Sequence, residues 1–317
     1  RIEVNDEKIL PEFLYIFLKT KCGRMQIERF TSGSVQRGLY LESIKKIKIP
    51  SIEISNQKDI ILDVKKIYEC IKKSKEAYEK AKLLVKKEVH IDELKIIKKK
   101  SFIKKFSEVF ENERIDADYY RLDYENLINQ IKNNKTGYVH FNKKNIRNKN
   151  FIPSGEKRYN YVELADINSS LGLIEKCLNE YGANLPTRAR RFVNEGDVIV
   201  SSIEGSLKSS AIINSENDGF VCSNGFFVLK SEEYSPEFLL VLMKNNFIQL
   251  LLKRGCSGTI LSAISSDELM KIPLPIIDKI KQTEVVKLVK ESHRYYYEAK
   301  DILKKAIIKV EKNIGIF

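Results

Sequence analysis

The sequence predicts an α+β protein: a module built on a curved, partly barrel-like β-sheet with small helices, joined to two long helices that pair as an antiparallel coiled-coil spacer. Three observations predict this class. The chain contains a long internal repeat, a heptad stripe follows each copy of the repeat, and a strand-rich stretch lies between the two stripes.

The repeat is visible at "PEFLYIFLKTK" (11 to 21) and "PEFLLVLMKNN" (236 to 246), which align at an offset of 225. From residue 11 to residue 57 this offset gives thirteen identities without a gap, among them Pro11/Pro236, Lys19/Lys244, Gly33/Gly258, Pro50/Pro275 and Gln57/Gln282. The period is far longer than the roughly 20 to 50 residues of a solenoid unit, so each copy is a whole domain with its connecting element. The second copy has more than a hundred residues upstream of Pro236 and the first only ten upstream of Pro11. The first module is therefore expected to lack its front, and the chain to be a piece of a longer polypeptide.

Each copy leads into a stretch free of Pro and Gly with apolar residues at alternating spacings of four and three, the signature of a helix with a narrow apolar seam. The first seam runs Ile60, Val64, Ile67, Ile71, Ser74, Tyr78, Ala81, Val85, and the second Val285, Val289, Ser292, Tyr296, Ala299, Leu303, Ala306, Val310. The two seams match position for position at the offset of 225. Ordinary bundle packing accounts for one such stripe; a duplicated stripe favours two rods that pack on each other and hold two modules apart. At about 1.5 Å per residue each rod spans roughly 45 to 50 Å.

Between the helices, residues 99 to 137 are charged and read as a helical connection. The runs "YNYVELADI" (159 to 167), "GDVIVSSI" (196 to 203), "SSAII" (209 to 213) and "GFVCSNGFFVL" (219 to 229) are β-branched and aromatic, with Gly, Asn and Asp as punctuation, and read as strands. Residues 236 to 252 read as one apolar helix and 264 to 271 as a shorter one stopped by the "KIPLP" prolines. The expected segments are 1–56 (C-terminal part of a first module), 57–98 (first spacer helix), 99–137 (connection), 138–279 (second module) and 280–317 (second spacer helix).

Composition narrows the function. A net charge of +13 points to a polyanionic partner, with nucleic acid foremost, although a Lys- and Asn-rich codon bias also produces such a charge. Local clustering is more telling. Lys132 to Arg158 contains eight basic residues and one acidic one, interleaved with Tyr138, His140 and Phe141, a texture that suits phosphate contacts with aromatic and amide groups alongside. No apolar run approaches the length of a membrane span, and a soluble, cytoplasmic protein with no membrane partner is expected. Five cysteines form no CxxC pair and the three histidines lie near none of them, so neither a metal site nor any other cofactor is expected. Adenine-methylation motifs, a GxxxxGK[ST] phosphate loop and a D…ExK nuclease core are likewise missing from the sequence; Asp166 and Asp197 read as structural. No catalytic residue is assigned.

Several signatures occur in order: "YVELADINSSLGLI" (161 to 174), "RARRFVNEGDVIVSSI" (188 to 203), "VCSNGFFVLK" (221 to 230), "SPEFLLVLMK" (235 to 244) and "GCSGTILSAISSDELMKIPLPI" (255 to 276), with "ERIDADYYRLDYENLINQI" (113 to 131) ahead of them. In this order, and with the duplication, the chain resembles the specificity (S) subunits of type I restriction-modification systems. The resemblance implies a non-catalytic protein whose target-recognition domains each read one half of a split double-stranded DNA site. The paired helices set the gap, and DNA methyltransferase (modification) subunits and a motor-nuclease (restriction) subunit assemble around it. The runner-up is the C-terminal DNA-recognition region of a single-chain restriction-methyltransferase fusion. A coiled-coil scaffold without a DNA role explains the rods but not the basic loops.

The candidate DNA contacts follow from residue type and place. Lys143, Lys144, Arg147, Lys149, Lys157 and Arg158 form a phosphate patch. Arg188, Arg190 and Arg191 precede a Gly-Asp turn and suit guanine or phosphate, or an internal ion pair. Ser206, Lys208 and Ser209 sit on a loop after a strand, Asn145 or Asn148 is of the type that reads adenine, and "GCSGT" (255 to 259) either offers N–H groups to a phosphate or is a loop shared by both modules.

Overall fold

A computed structural model describes residues 2–5, 7–33, 37–91 and 103–315. The chain divides into two units, residues 1–76 with 291–317, and residues 77–290. Two helices of 35 residues each, Ile54–Glu88 and Lys279–Asn313, contribute to both.

In the first unit the helix Pro11–Phe17 starts on a proline at its first turn, where the missing N–H costs nothing. Thr20 caps the next helix, Lys21–Phe30, by accepting from the Gly23 N–H at 3.2 Å. Phe13, Leu14, Ile16 and Phe17 pack on Ile60 and Val64 of the first long helix and on Ala306 and Val310 of the second. Further along, Ile67 and Cys70 meet Ala299, and Ser74 meets Ser292 with hydroxyl oxygens 3.2 Å apart. Rising numbers on one helix pair with falling numbers on the other, so within this unit they run antiparallel. All seam residues foreseen from the heptads are buried except Ile71, Tyr296 and Leu303, which are half-buried. Lys309 lies across from Asp59 and Asp63 at 3.8 and 3.7 Å on the rim.

The second unit holds the complete module. Its strands of three or more residues are β1 (Arg158–Val162), β2 (Leu178–Tyr181), β3 (Ala189–Phe192), β4 (Val198–Ser201), β5 (Ser210–Ile212), β6 (Val221–Ser223) and β7 (Phe226–Leu229). They form a four-stranded sheet in the order β2-β1-β6-β3, with β1 and β6 parallel and the other pairs antiparallel, and an antiparallel three-stranded sheet in the order β7-β4-β5. The core between them includes Val162, Val193, Ile199, Ala211, Cys222, Phe226 and Val228. The mixed helix-and-sheet class is as expected, and the two sheets are not closed on each other: β3 and β4 belong to different sheets, and Gly196 with φ of +82° turns the chain between them.

The expected single helix over 236 to 252 is two, Pro236–Met243 and Asn246–Arg254, because Asn245 adopts extended backbone between them and its side-chain amide donates to the Lys82 carbonyl at 2.9 Å. Every residue from Phe238 to Met243 is buried, with the helix wedged beneath β4 and β5. The expected connection contains helices Phe106–Asn112 and Leu122–Lys132; its residues 99–102 lie outside the described residues. The first long helix begins at Ile54 and ends at Glu88, two residues before His90 takes a left-handed φ of 52° and stops it; residues 92–98 of the expected spacer lie outside the described residues, as do 316 and 317 of the second.

The offset of 225 recurs in the elements themselves. Pro11–Phe17 corresponds to Pro236–Met243, Lys21–Phe30 to Asn246–Arg254, and Ile54–Glu88 to Lys279–Asn313. The bridge Ser32↔Gly38 corresponds to the pair Ser257↔Ala263 at the same offset. Gln57 donates to the Ile52 carbonyl at 3.0 Å and Gln282 to the Ile277 carbonyl at 2.9 Å, the same buried brace between the module and its helix.

Equivalent positions differ in what covers them: Leu240 is 0% exposed and its counterpart Tyr15 is 36% exposed. Leu240→Ala is expected to cost about 2 to 5 kcal/mol in urea denaturation, and Tyr15→Ala less than about 1 kcal/mol. Equal losses would contradict this packing.

Candidate nucleic-acid interface

Three of the predicted basic residues prove to be partly or wholly structural. Arg147 donates from Nη1 to both carboxylate oxygens of Asp197 at 2.8 Å, and Asp197, 0% exposed, also accepts from the Asn194 N–H at 2.8 Å. A carboxylate at that depth requires such partners, which confirms the structural role expected of Asp197. Arg191 turns inward, donating to the Phe226 carbonyl and, at 3.3 Å, to the Asn150 side-chain oxygen; burial lowers its pKa from the usual arginine value. Arg190 is half-buried and donates to the Thr187 carbonyl at 2.7 Å. It sits in a β-bulge, because Ala189 pairs with Ser223 and Arg191 with Cys222, leaving Arg190 as the additional residue. Bulges re-aim side chains at sheet edges. Arg188 is exposed, with Glu163 3.7 Å away.

The other loops sort in the same way. Asn145 accepts from the Asn142 N–H and donates to the Lys230 carbonyl, while Asn148 accepts from the Val228 N–H at 3.2 Å. Ser209 is buried and Ser206 bonds Ser201, 3.0 Å away; of that trio Lys208 is the exposed one. Asp166 accepts from the Glu163 N–H in a capping box, a structural role. Lys143, Lys144 and Lys149 are exposed.

Around Lys157 and Arg158 the structure gathers aromatic side chains that the sequence did not single out. Arg158 donates to the Asn179 side chain and carbonyl at 2.9 and 3.1 Å and lies over the Tyr181 ring at 4.7 Å. Lys157 lies 5.6 Å from the Tyr159 ring centre. Phe151 stacks on Phe192 at 3.9 Å, and Tyr159 leans against both. Tyr181 and Phe192 remain exposed. Cations held over rings beside uncovered aromatic faces can meet phosphates and base or sugar surfaces together. Nothing in the sequence signals this cluster: residues 159 and 192 come together only because β6 pairs with both β1 and β3, and the Phe151 N–H donates to the Arg190 carbonyl at 2.8 Å.

Among the described residues there is no group of three or more His, Cys, Asp or Glu side chains able to hold a metal ion, and no helix long and apolar enough to cross a membrane. What the fold and this surface define is an α+β module with a basic, aromatic-studded sheet, borne on duplicated long helices. No protein-family model matches the sequence, and no curated protein matches it. Solved structures do, and the chain is similar to specificity subunits of type I restriction-modification systems. One is a chain from a study of complex assembly and conformational transition of the type I R-M system (27% identity, TM-score 0.40, covering 51% of this chain and 44% of that one). Another is the HsdS subunit of Thermoanaerobacter tengcongensis (28% identity, TM-score 0.40, 51% and 44%). The S subunit of M. genitalium matches over 98% of this chain and 73% of its own at 12% identity and TM-score 0.38. The chain thus spans less than half the length of the first two.

Arg147→Ala would leave the Asp197 carboxylate buried without its cation, and a loss of about 2 to 3 kcal/mol is expected in thermal or urea melts. Lys143→Ala and Lys144→Ala should stay within about 0.5 kcal/mol. A neutral Arg147→Ala would show the pair to be dispensable.

Proposed function

We propose that this chain is a non-catalytic specificity subunit of a type I restriction-modification complex, binding double-stranded DNA through the module in residues 138–279. Methyltransferase (modification) subunits and a motor-nuclease (restriction) subunit act on the DNA it selects, and it needs no cofactor of its own. The observation that carries the reading is the duplication: module elements, bridge, glutamine brace and long helix all repeat at 225, as a reader of two half-sites requires. Residues 1–56 are the C-terminal part of a first target-recognition domain on this reading, 57–98 and 280–317 the spacer helices, and 99–137 the connection.

Within the complete module, Lys157, Arg158, Arg188 and Arg190 lie on or beside the four-stranded sheet and are the proposed DNA contacts, with Lys143, Lys144, Lys149 and Lys208 adding positive charge on neighbouring loops. Arg147, Arg191, Ser206 and Ser209 support the surface from within. The aromatic groups Tyr181 and Phe192 supply apolar contact. Phosphate contacts position the module, and base contacts from the re-aimed Arg190 give specificity.

Two experiments test this. Replacing Arg188 and Arg190 with Ala should weaken duplex binding by at least about tenfold without changing the melting temperature, and each lost phosphate contact should lower the slope of log affinity against log salt by about 0.9; unchanged affinity and slope would remove these arginines from the interface. Deleting one heptad from each long helix should shorten the spacer by about 10 Å, and so shorten the gap in the methylated motif by about three base pairs at 3.4 Å per step. An unchanged gap would refute the spacer role.

A further inference from the structure

Lys244 is a charged side chain in an unusual position. It is 8% exposed, and its ammonium donates to the backbone carbonyls of Ser169 and Lys208. Beside it lies a cavity of about 290 Å³, bounded by the first long helix, the Ser169–Ser170 turn and the start of the helix Asn246–Arg254. Three of the lining residues are lysines, Lys82, Lys208 and Lys244. Among the described lining residues the sole carboxylate is Glu79, and both its oxygens are engaged by Lys82 at 3.0 and 3.1 Å. Ser169, Ser170 and Asn246 add polar groups, and the helix beginning at Asn246 has no side-chain cap for its first turn.

Buried cations are normally paired with a carboxylate, because removing an ammonium from water costs several kcal/mol unless a counter-charge repays it. Here the partners are two carbonyl dipoles and, at 6.0 Å, the ring of Tyr78. The repeat supplies a control. Lys19, the equivalent residue in the first unit, is only half-buried and lies over the Tyr15 ring at 4.9 Å. Position in the repeat therefore does not by itself bury the charge; the Ser169 turn and the Lys208 loop do.

We propose that the cavity beside Lys244 is a phosphate-binding site, in which Lys244 and Lys208 neutralise the anion and the Ser169 and Ser170 hydroxyls donate to it. The inference stands on the cavity and on a buried ammonium bonded to two carbonyls rather than to a carboxylate, and it shares Lys208 with the DNA-reading proposal. A backbone phosphate of duplex DNA and a free phosphate group present the same oxyanion, and competition separates them. Burial, with lesser contributions from Lys82 and Lys208 against an opposing one from Glu79, lowers the Lys244 pKa to about 8. The ammonium is therefore largely charged at neutral pH and loses its proton as pH rises through that value. An anion bound beside it holds the proton on.

The test is a calorimetric titration of the intact chain with inorganic phosphate at constant ionic strength. Saturable binding is expected in the native protein, with at least tenfold loss in Lys244→Met. Should Lys244→Met fail to fold, Lys208→Ala, on an exposed loop, is the second variant and is expected to weaken binding severalfold at unchanged melting temperature. Sulfate keeps its charge over the alkaline range, so its affinity should fall as pH rises through about 8. Absence of saturable binding, or the same affinity in Lys208→Ala and a flat pH profile with sulfate, overturns the proposal. Competition of phosphate with a DNA duplex assigns the site to a backbone phosphate; simultaneous binding of both assigns it to a free phosphate.

Discussion

Within the first unit, the two long helices are held together by a narrow antiparallel seam: Ile60 and Val64 against Ala306 and Val310, Ile67 and Cys70 against Ala299, and Ser74 against Ser292. Burial of that stripe is the constraint on which the remaining features depend, because the helix Pro11–Phe17 can pack only on the surface that the two long helices make jointly. The serine pair is fully buried, and Ser292 donates to the Ser74 carbonyl at 2.7 Å, so the polar groups are satisfied. A shift of one heptad would place these hydroxyls against apolar side chains without partners. Buried polar residues of this kind fix register at some cost in stability.

The module in the second unit applies the same logic to its sheets. From Phe238 to Met243 the helix Pro236–Met243 is apolar and fully buried, which is tolerable because β4 and β5 cover one face and the next helix packs beside it. Gly172, with φ of +71°, lies so close to Leu240 that a Cβ would come within 2.7 Å of its methyl groups. That close approach seats the Ser169–Ser170 turn. In the other sheet, the mismatch of β3 against β6 forms the bulge at Arg190.

The sequence made the duplicated scaffold legible because repeats and heptads are periodic, and periodicity survives substitution: both helix bounds and the glutamine brace follow the same offset. The interface was less legible, since the identity of a basic residue does not reveal its partner. Arg147 meets Asp197 from fifty positions away and Arg191 meets the Phe226 carbonyl from thirty-five, pairings made by the sheet order. Asn145 and Asn148 looked free because their partners, Lys230 and Val228, are as distant. The break after Met243 was hidden by continuous apolar residues on either side of Lys244 and Asn245, and it leaves Lys244 facing a cavity. The α+β class was legible, but whether the curved sheet closes was not, because strand texture specifies half-burial and not closure.

The central claim is that the module in residues 138–279 reads DNA sequence. Selection of bound duplexes from a random-sequence pool by the intact chain, followed by sequencing, tests it most directly. The account predicts enrichment of a defined sequence element that is lost when the surface arginines beside the four-stranded sheet are replaced; a bound population as random as the input would contradict it.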